Sequence, residues 1–229
     1  MLVNLSNQIG SILLITVYIG GLLLIAEILN RLHKTDSELT RKIVHIGTGN
    51  VILLAWWLNI TSDVILLAVI TASIVAIASY YLPILPSVNS VGRHSLGTLF
   101  YAISIGILTA LFWHEGEKQF TAIGILIMSY GDGMAALIGQ KWGKHKYQLL
   151  GNKKSWEGSL TMTLVSILVV ISIFGIVATI QTKLFIIALL IGIFATILET
   201  FSPFGIDNLT VPVICGTLAY YLQNIFTIN

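Results

Sequence analysis

Eight apolar runs, near residues 9–29, 43–60, 64–82, 96–113, 119–139, 159–180, 184–199 and 211–228, take up most of this chain. Crossing a bilayer as a helix takes about 20 predominantly apolar residues, and most of the runs approach or reach that length. The seventh and eighth are short, and the last need not cross completely. In lipid, backbone N–H and C=O groups must be satisfied within the segment itself or in a closed barrel, so runs of this length read as helices. The expectation is an all-α integral membrane protein: a single polytopic bundle of about 7–8 transmembrane helices over residues 1–229, with no internal repeat and no linker long enough to divide it.

Composition narrows the function classes. Only 10% of residues are charged, against about 25% in a soluble domain, so the chain cannot dress a water-facing surface. A net charge of +2 leaves no electrostatic footprint for nucleic acid. Cys215 stands alone and forms no disulfide within the chain. The first run has neither a basic leader nor a small-residue cleavage site before it, so it reads as a retained span.

The connections carry the orientation. If the spans alternate, the loops near 30–45, 83–95 and 140–158 share one face, and that face holds ten of the twelve lysines and arginines. Lys118 and Lys183 face the other way. Positive loops stay cytoplasmic, which puts the N-terminus outside. The unusual polar residues Arg41, Lys42, His45, Arg93, Asp132, Lys153, Lys154, Glu157, Glu199, Asp207 and Asn208 then gather on or near the cytoplasmic face, where cellular nucleotides are found. A transporter would place such groups towards the midplane between repeated halves.

Asp132 is the most informative of them. A carboxylate within a span costs about 2.5–3.5 kcal/mol to insert, so it faces a partner or a cavity. Glycines flank it at 131 and 133, and Gly139-x-x-x-Gly143 follows as a small-residue packing pattern. Packing accounts for the glycines but not for the acid. A boundary carboxylate facing a basic loop suits Mg²⁺, which takes one or two carboxylates and completes its shell with substrate phosphates and water. The loop "KWGKHKYQLLGNKKSWEGS" supplies lysines as phosphate-binding point charges, with Gly151 and Gly158 to admit backbone N–H groups and Ser155 and Glu157 beside Lys153 and Lys154. It does not fit a Walker A pattern.

Further upstream, "KTDSELTRKIVHIGTG" opens with a capping box, Thr35 to Glu38. Glu38 is placed to pair with Lys42 at i,i+4, while Arg41 and His45 share a face that suits an anion. Near the end, Glu199 closes a span, and Asp207-Asn208 sits in a turn expected to be held by Pro203, Gly205 and Pro212. No Ser–His–Asp arrangement is evident, and acids with lysines and glycines point to phosphate chemistry.

Taken in order, Arg41-Lys42-x-x-His45, Arg93-x-Ser95-x-Gly97, Gly131-Asp132-x-x-Ala135 with Gly139 and Gly143, Lys154-Ser155-x-Glu157-Gly158-Ser159 and Asp207-Asn208 resemble the membrane polyprenol kinase family over roughly residues 40 to 215. That family includes dolichol, phytol and farnesol kinases and a CTP-dependent diacylglycerol kinase, and it borders on the phosphatidate cytidylyltransferases. The resemblance implies a membrane enzyme that phosphorylates a lipid alcohol with a nucleoside triphosphate, commonly CTP. The short chain looks most like the phytol kinases of photosynthetic organisms, which implies a bacterial plasma membrane or a thylakoid or chloroplast envelope membrane.

On this reading Asp132, Lys154, Glu157 and His45 are candidate catalytic groups, with His45 or Glu157 as proton acceptor. Arg41, Lys42, Arg93, Gly131, Gly139, Gly143, Lys153, Ser155 and Asn208 are candidate nucleotide-binding residues, and Asp132, Asp207 and Glu199 are candidate Mg²⁺ ligands. The expected partners are an isoprenoid alcohol (phytol first, then geranylgeraniol or farnesol), the nucleotide and the bilayer. Diacylglycerol phosphorylation, cytidylyl transfer to a phospholipid and small-anion or lipid transport are the competing readings.

Overall fold

The structure is a computed structural model that describes residues 2–33, 37–81, 96–149, 152–177 and 181–226. Its helices in chain order are α1 (Leu2–His33), α2 (Ser37–Gly49), α3 (Val51–Trp57), α4 (Ser62–Tyr81), α5 (Gly97–Phe112), α6 (Lys118–Leu126), α7 (Gly133–Trp142), α8 (Trp156–Val177), α9 (Thr182–Phe201) and α10 (Asp207–Phe226). A π-turn, Ile127–Asp132, joins α6 to α7, so Lys118–Trp142 runs as one long helical span. Among the described residues, five helices are long and apolar enough to cross a membrane, and Ser62–Ala78 and Gly97–Phe112 are shorter apolar helices. The expected second span is interrupted at Asn50, where α2 gives way to α3.

The α6–α7 span is the centre of the bundle. Ala122, Ile123, Ile127 and Met128 are fully buried, and α2, α5, α8 and α10 pack around the span and its π-turn. By contrast α1 is peripheral, with Leu13, Val17 and Leu24 exposed. Outward leucines and isoleucines recur on α4 and α8, as at Ile70, Ile74, Leu164 and Leu168. This apolar exterior is the surface a bilayer covers.

Small residues set how closely the central span is approached. A Cβ at Gly124 would run into the Pro212 carbonyl and sit 2.9 Å from Leu108 Cδ1, so glycine is what admits α10 there. Pro212 itself lies inside α10 instead of in the turn before it. The turn is made by Phe204 (φ 57°) and Gly205 (φ 83°), both in the left-handed region. Pro212 instead removes the N–H that would have bonded the Asn208 carbonyl within the helix.

The connection 140–158, read from sequence as an irregular phosphate loop, contains an antiparallel hairpin. Strand β1 (Lys146–Leu149) pairs with β2 (Asn152–Ser155), Tyr147 standing opposite Lys154 and Gln148 opposite Lys153. Helix α8 starts at once after β2, so the hairpin is rigidly tied to the bundle.

Candidate active site

The site is assembled at the end of the bundle where α7 and α9 finish and α2, α8 and α10 begin. Its centre is the π-turn. Such insertions are rare, and they recur at functional sites because the extra residue re-aims side chains and loosens the carbonyl ladder. Here the turn carries Ser129 towards Gly49 and Tyr101, with a 2.7 Å bond between the Tyr101 and Ser129 hydroxyls. Asp132 is carried towards α2.

On α2, Lys42 is buried and its Nζ lies 2.5 Å from Asp132 Oδ2. The partner of this lysine thus comes from 90 residues away; Glu38, expected to pair with it, lies outside the residues whose side chains are described. His45 Nε2 lies 4.0 Å from the same carboxylate oxygen, and this buried nitrogen has no hydrogen-bond partner in the structure. The ring rests 5.0 Å, centre to centre, from the Tyr101 ring. A buried imidazole nitrogen without a partner is costly, so His45 is a position that packing alone does not explain.

A second acid–lysine pair faces the first. Lys154 Nζ is 2.5 Å from Glu199 Oε1 and also bonds the Glu199 main-chain carbonyl. Glu199 is buried, and it feels the charges of Asp132 and Lys42 as well as Lys154. Asp207, at the start of α10, lies within the fields of Asp132, Lys42 and Lys154. Its carboxylate accepts from the Asn208 main-chain N–H at 3.0 Å and from its side-chain amide at 3.3 Å. Arg41 acts electrostatically on both His45 and Asp132. Burying ion pairs costs more desolvation than their attraction commonly returns, so function is the better reason for two of them side by side.

Asp132 and Lys42 therefore lie within electrostatic reach of His45, Glu199 and Asp207. Among the described residues no three His, Cys, Asp or Glu side chains form a cage able to hold a metal unaided. Asp132, Glu199 and Asp207 carry hard oxygen donors, and Asp132 and Glu199 are each already paired with a lysine.

Comparison with known proteins gives the class of chemistry. The chain is 51% identical over 203 residues to a phytol kinase of Synechocystis sp., covering 89% of this chain and 87% of that one. The chain belongs to the phytol kinase family. Phytol kinase 1 of Arabidopsis thaliana, a chloroplastic protein, is 26% identical over 184 residues, 69% of this chain and 55% of the plant protein. A CTP-dependent diacylglycerol kinase 1 of Schizosaccharomyces pombe is 26% identical over 136 residues, 56% of this chain and 60% of the yeast one. The match thus spans most of the cyanobacterial relative but about half the length of the plant one. No family model and no solved structure matches the chain.

Several residues expected at the site of this phytol kinase family member have other tasks. Gly131 admits Met162, whose Sδ would sit 2.6 Å from an added Cβ, and Gly133 admits Ile46 in the same way. Gly139 and Gly143 close on Ser155 Oγ, at 2.9 and 2.6 Å from an added Cβ. Ser155 is itself buried, and its hydroxyl accepts the Gly158 N–H at the start of α8. Gly131 is thus packed against α8, and Gly139 and Gly143 against Ser155 of β2, so these positions act as packing seams whatever else they do. Gly158, buried against α7, belongs with them. Lys153 alternates with Lys154 along β2, so it points to the opposite side of the hairpin and is exposed. Asn208, half-buried, donates its side-chain amide to the Asp207 carboxylate and the Gly205 carbonyl. Arg93 lies outside the described residues.

Glu157 is drawn away as well. Its carboxylate accepts from the His145 ring Nδ1 at 2.8 Å and from the His145 main-chain N–H at 3.2 Å, clasping the hairpin to α8. Glu157→Gln is expected to change the phosphorylation rate by less than about fivefold, in keeping with the small worth of exposed ion pairs. A larger loss in a turnover assay would return Glu157 to the chemistry.

Sequence reasoning missed the polar chain behind the π-turn. The Tyr130 hydroxyl donates to Asn50 Oδ1 at 2.7 Å, Asn50 Nδ2 to the Tyr18 hydroxyl at 3.3 Å, and Tyr18 to the Gly47 carbonyl at 2.9 Å. The available signal was Asn50, an amide within an apolar run, and Tyr130, two residues before Asp132.

Proposed function

We propose that this end of the bundle transfers the terminal phosphoryl group of CTP to the hydroxyl of an isoprenoid alcohol, phytol by preference, giving the lipid monophosphate. Membership of the family makes the chain a phosphotransferase acting on a lipid alcohol. The observation that carries this reading is the buried Lys42–Asp132 pair beside the unbonded His45 Nε2, with the Lys154–Glu199 pair within its electrostatic reach. Phosphoryl transfer is catalysed chiefly by positioning and by electrostatic stabilisation, and these residues supply both.

In this reading Asp132, with Asp207 and Glu199, holds the Mg²⁺ that accompanies the nucleotide. When bound, that ion neutralises phosphate charge and fixes the phosphates relative to the acceptor. Lys42 and Lys154, held in place by the acids, turn to the phosphate oxygens, and Arg41 adds longer-range positive potential. His45 Nε2 receives the hydroxyl of the alcohol and takes its proton. Glu157 is a weaker choice, since His145 already occupies its carboxylate. The positive loops support a cytoplasmic site in a bacterial plasma membrane or a plastid membrane. CTP as donor is favoured by the name of the yeast relative.

The test uses purified protein in detergent with Mg²⁺ and γ-³²P-CTP, γ-³²P-ATP or γ-³²P-UTP, offered phytol, geranylgeraniol, farnesol or diacylglycerol in turn. The expected result is label in phytyl monophosphate, with CTP the best donor. Label confined to diacylglycerol would overturn the acceptor, and pyrophosphate release with phosphatidate would replace the kinase by cytidylyl transfer.

A further inference from the structure

Tyr147 stands directly opposite Lys154 in the antiparallel register of the hairpin. Residues paired in this way project from the same face, with Cβ atoms about 4.5–5.5 Å apart. Both side chains are half-buried, while Lys146, Gln148 and Lys153, their neighbours along the two strands, are exposed. The inner face of the hairpin therefore presents this lysine and this tyrosine side by side. Lysine carries its charge on a flexible four-carbon stem, so where its ammonium stands depends on where the strand beneath it is held.

The tyrosine is fixed where the lysine is not. Its ring rests 5.5 Å, centre to centre, from the Trp156 ring at the start of α8. Its hydroxyl shares a 2.6 Å bond with the Ser159 hydroxyl on α8 and lies 3.4 Å from Thr200 Oγ1 on α9, the residue that follows Glu199. Behind it the Thr163 hydroxyl donates to the Ser159 carbonyl at 3.2 Å and meets the Thr196 hydroxyl at 2.7 Å. The two helices close on this row because Gly192 lets α9 come up to the Thr163 carbonyl, 2.9 Å from an added Cβ. The His145–Glu157 contact clasps the hairpin at an exposed point; the Tyr147 hydroxyl fastens it beside the Lys154–Glu199 pair.

We propose that Tyr147 is a positioning residue for the nucleotide: its hydroxyl fixes β1 against α8 and α9, and so sets where Lys154 stands between Glu199 and the phosphates. The inference rests on the reading of Lys154 as a phosphate ligand. Because Tyr147 acts through that lysine and not on the acceptor, its loss changes the nucleotide KM and leaves the KM for the alcohol alone. A fastening that served stability only would lower the melting temperature without separating the two.

The test measures KM for CTP and for phytol, beside thermal denaturation in detergent, for wild type, Tyr147→Phe, Lys154→Gln and the double variant. Tyr147→Phe keeps the ring and loses one oxygen. It is expected to raise the nucleotide KM about three- to tenfold, the scale of one net hydrogen bond, with KM for phytol within about twofold of wild type. In the Lys154→Gln background the same change is expected to add less than about twofold, since a residue that acts through the lysine has nothing left to place. Equal effects in both backgrounds, an equal rise in both KM values, or a lower melting temperature with an unchanged nucleotide KM overturns the inference and leaves Lys154 as a phosphate ligand. Ser159→Ala removes the same bond from the α8 side and decides if Tyr147→Phe does not fold: a raised nucleotide KM that Lys154→Gln abolishes supports the inference, and an unchanged one overturns it. Lys154→Gln with a wild-type nucleotide KM removes the lysine reading and this inference together.

Discussion

Asp132→Asn is expected to lower kcat for lipid phosphorylation by about a hundred- to a thousand-fold, the usual cost of removing one preorganised charged group from a site that works by electrostatics. The amide preserves shape, so the loss isolates charge. It also strands Lys42, whose side chain is only 8% exposed. Leaving one member of a buried pair uncompensated costs about 3–5 kcal/mol, so the single variant should melt well below wild type in detergent. Adding Lys42→Gln should restore much of the stability without restoring turnover. That split separates the two roles of the pair: a coupling energy in thermal denaturation, and a catalytic loss that no second change repairs. Normal membrane expression with unimpaired turnover in Asp132→Asn would remove this residue from the proposed metal site.

The same pair shows what could be read from the sequence. Asp132 stood out because an acid in an apolar run has no inexpensive explanation, and that argument needs no knowledge of the fold. Its partner did not stand out. Lys42 sits in a basic connection where a bilayer anchor explains any lysine, and local spacing offered Glu38. Only the packing of α2 against the π-turn brings Lys42 and His45 to Asp132. The spans were legible to within a few residues because length and hydropathy decide them. The break at Asn50 and the π-turn were not, since neither alters mean hydropathy. The hairpin was missed for a related reason: strands of four residues rich in lysine lack an apolar alternation to reveal them. Glycine stayed ambiguous in the sequence: one beside an acid fits a ligand cradle and a helix seam equally well, and only the packing shows how closely neighbours approach Gly131, Gly139 and Gly143.

The hairpin turns one ambiguity of the loop into a sharp contrast between adjacent lysines. Lys154 reaches inward to Glu199, while Lys153, its neighbour on β2, is exposed on the other side. If the inward lysine serves the phosphates, Lys154→Gln removes a charge-assisted hydrogen bond worth about 1.5–3 kcal/mol, which is about a ten- to hundredfold loss in kcat/KM for the nucleotide. Lys153→Gln should stay within about threefold of wild type, as befits a solvated surface charge. Lys154→Gln also leaves Glu199 buried without its cation, and Glu199→Gln in the same chain should recover stability while the nucleotide defect persists. Because Glu199 is itself a proposed metal ligand, Glu199→Gln alone is the reference. In a nucleotide titration run beside thermal denaturation, a larger defect in the double variant than in Glu199→Gln marks a phosphate ligand, and an equal one marks a structural clamp. In the latter case the lysine only holds α9 to the hairpin, and the nucleotide-binding charge must be assigned to Lys42 and Arg41.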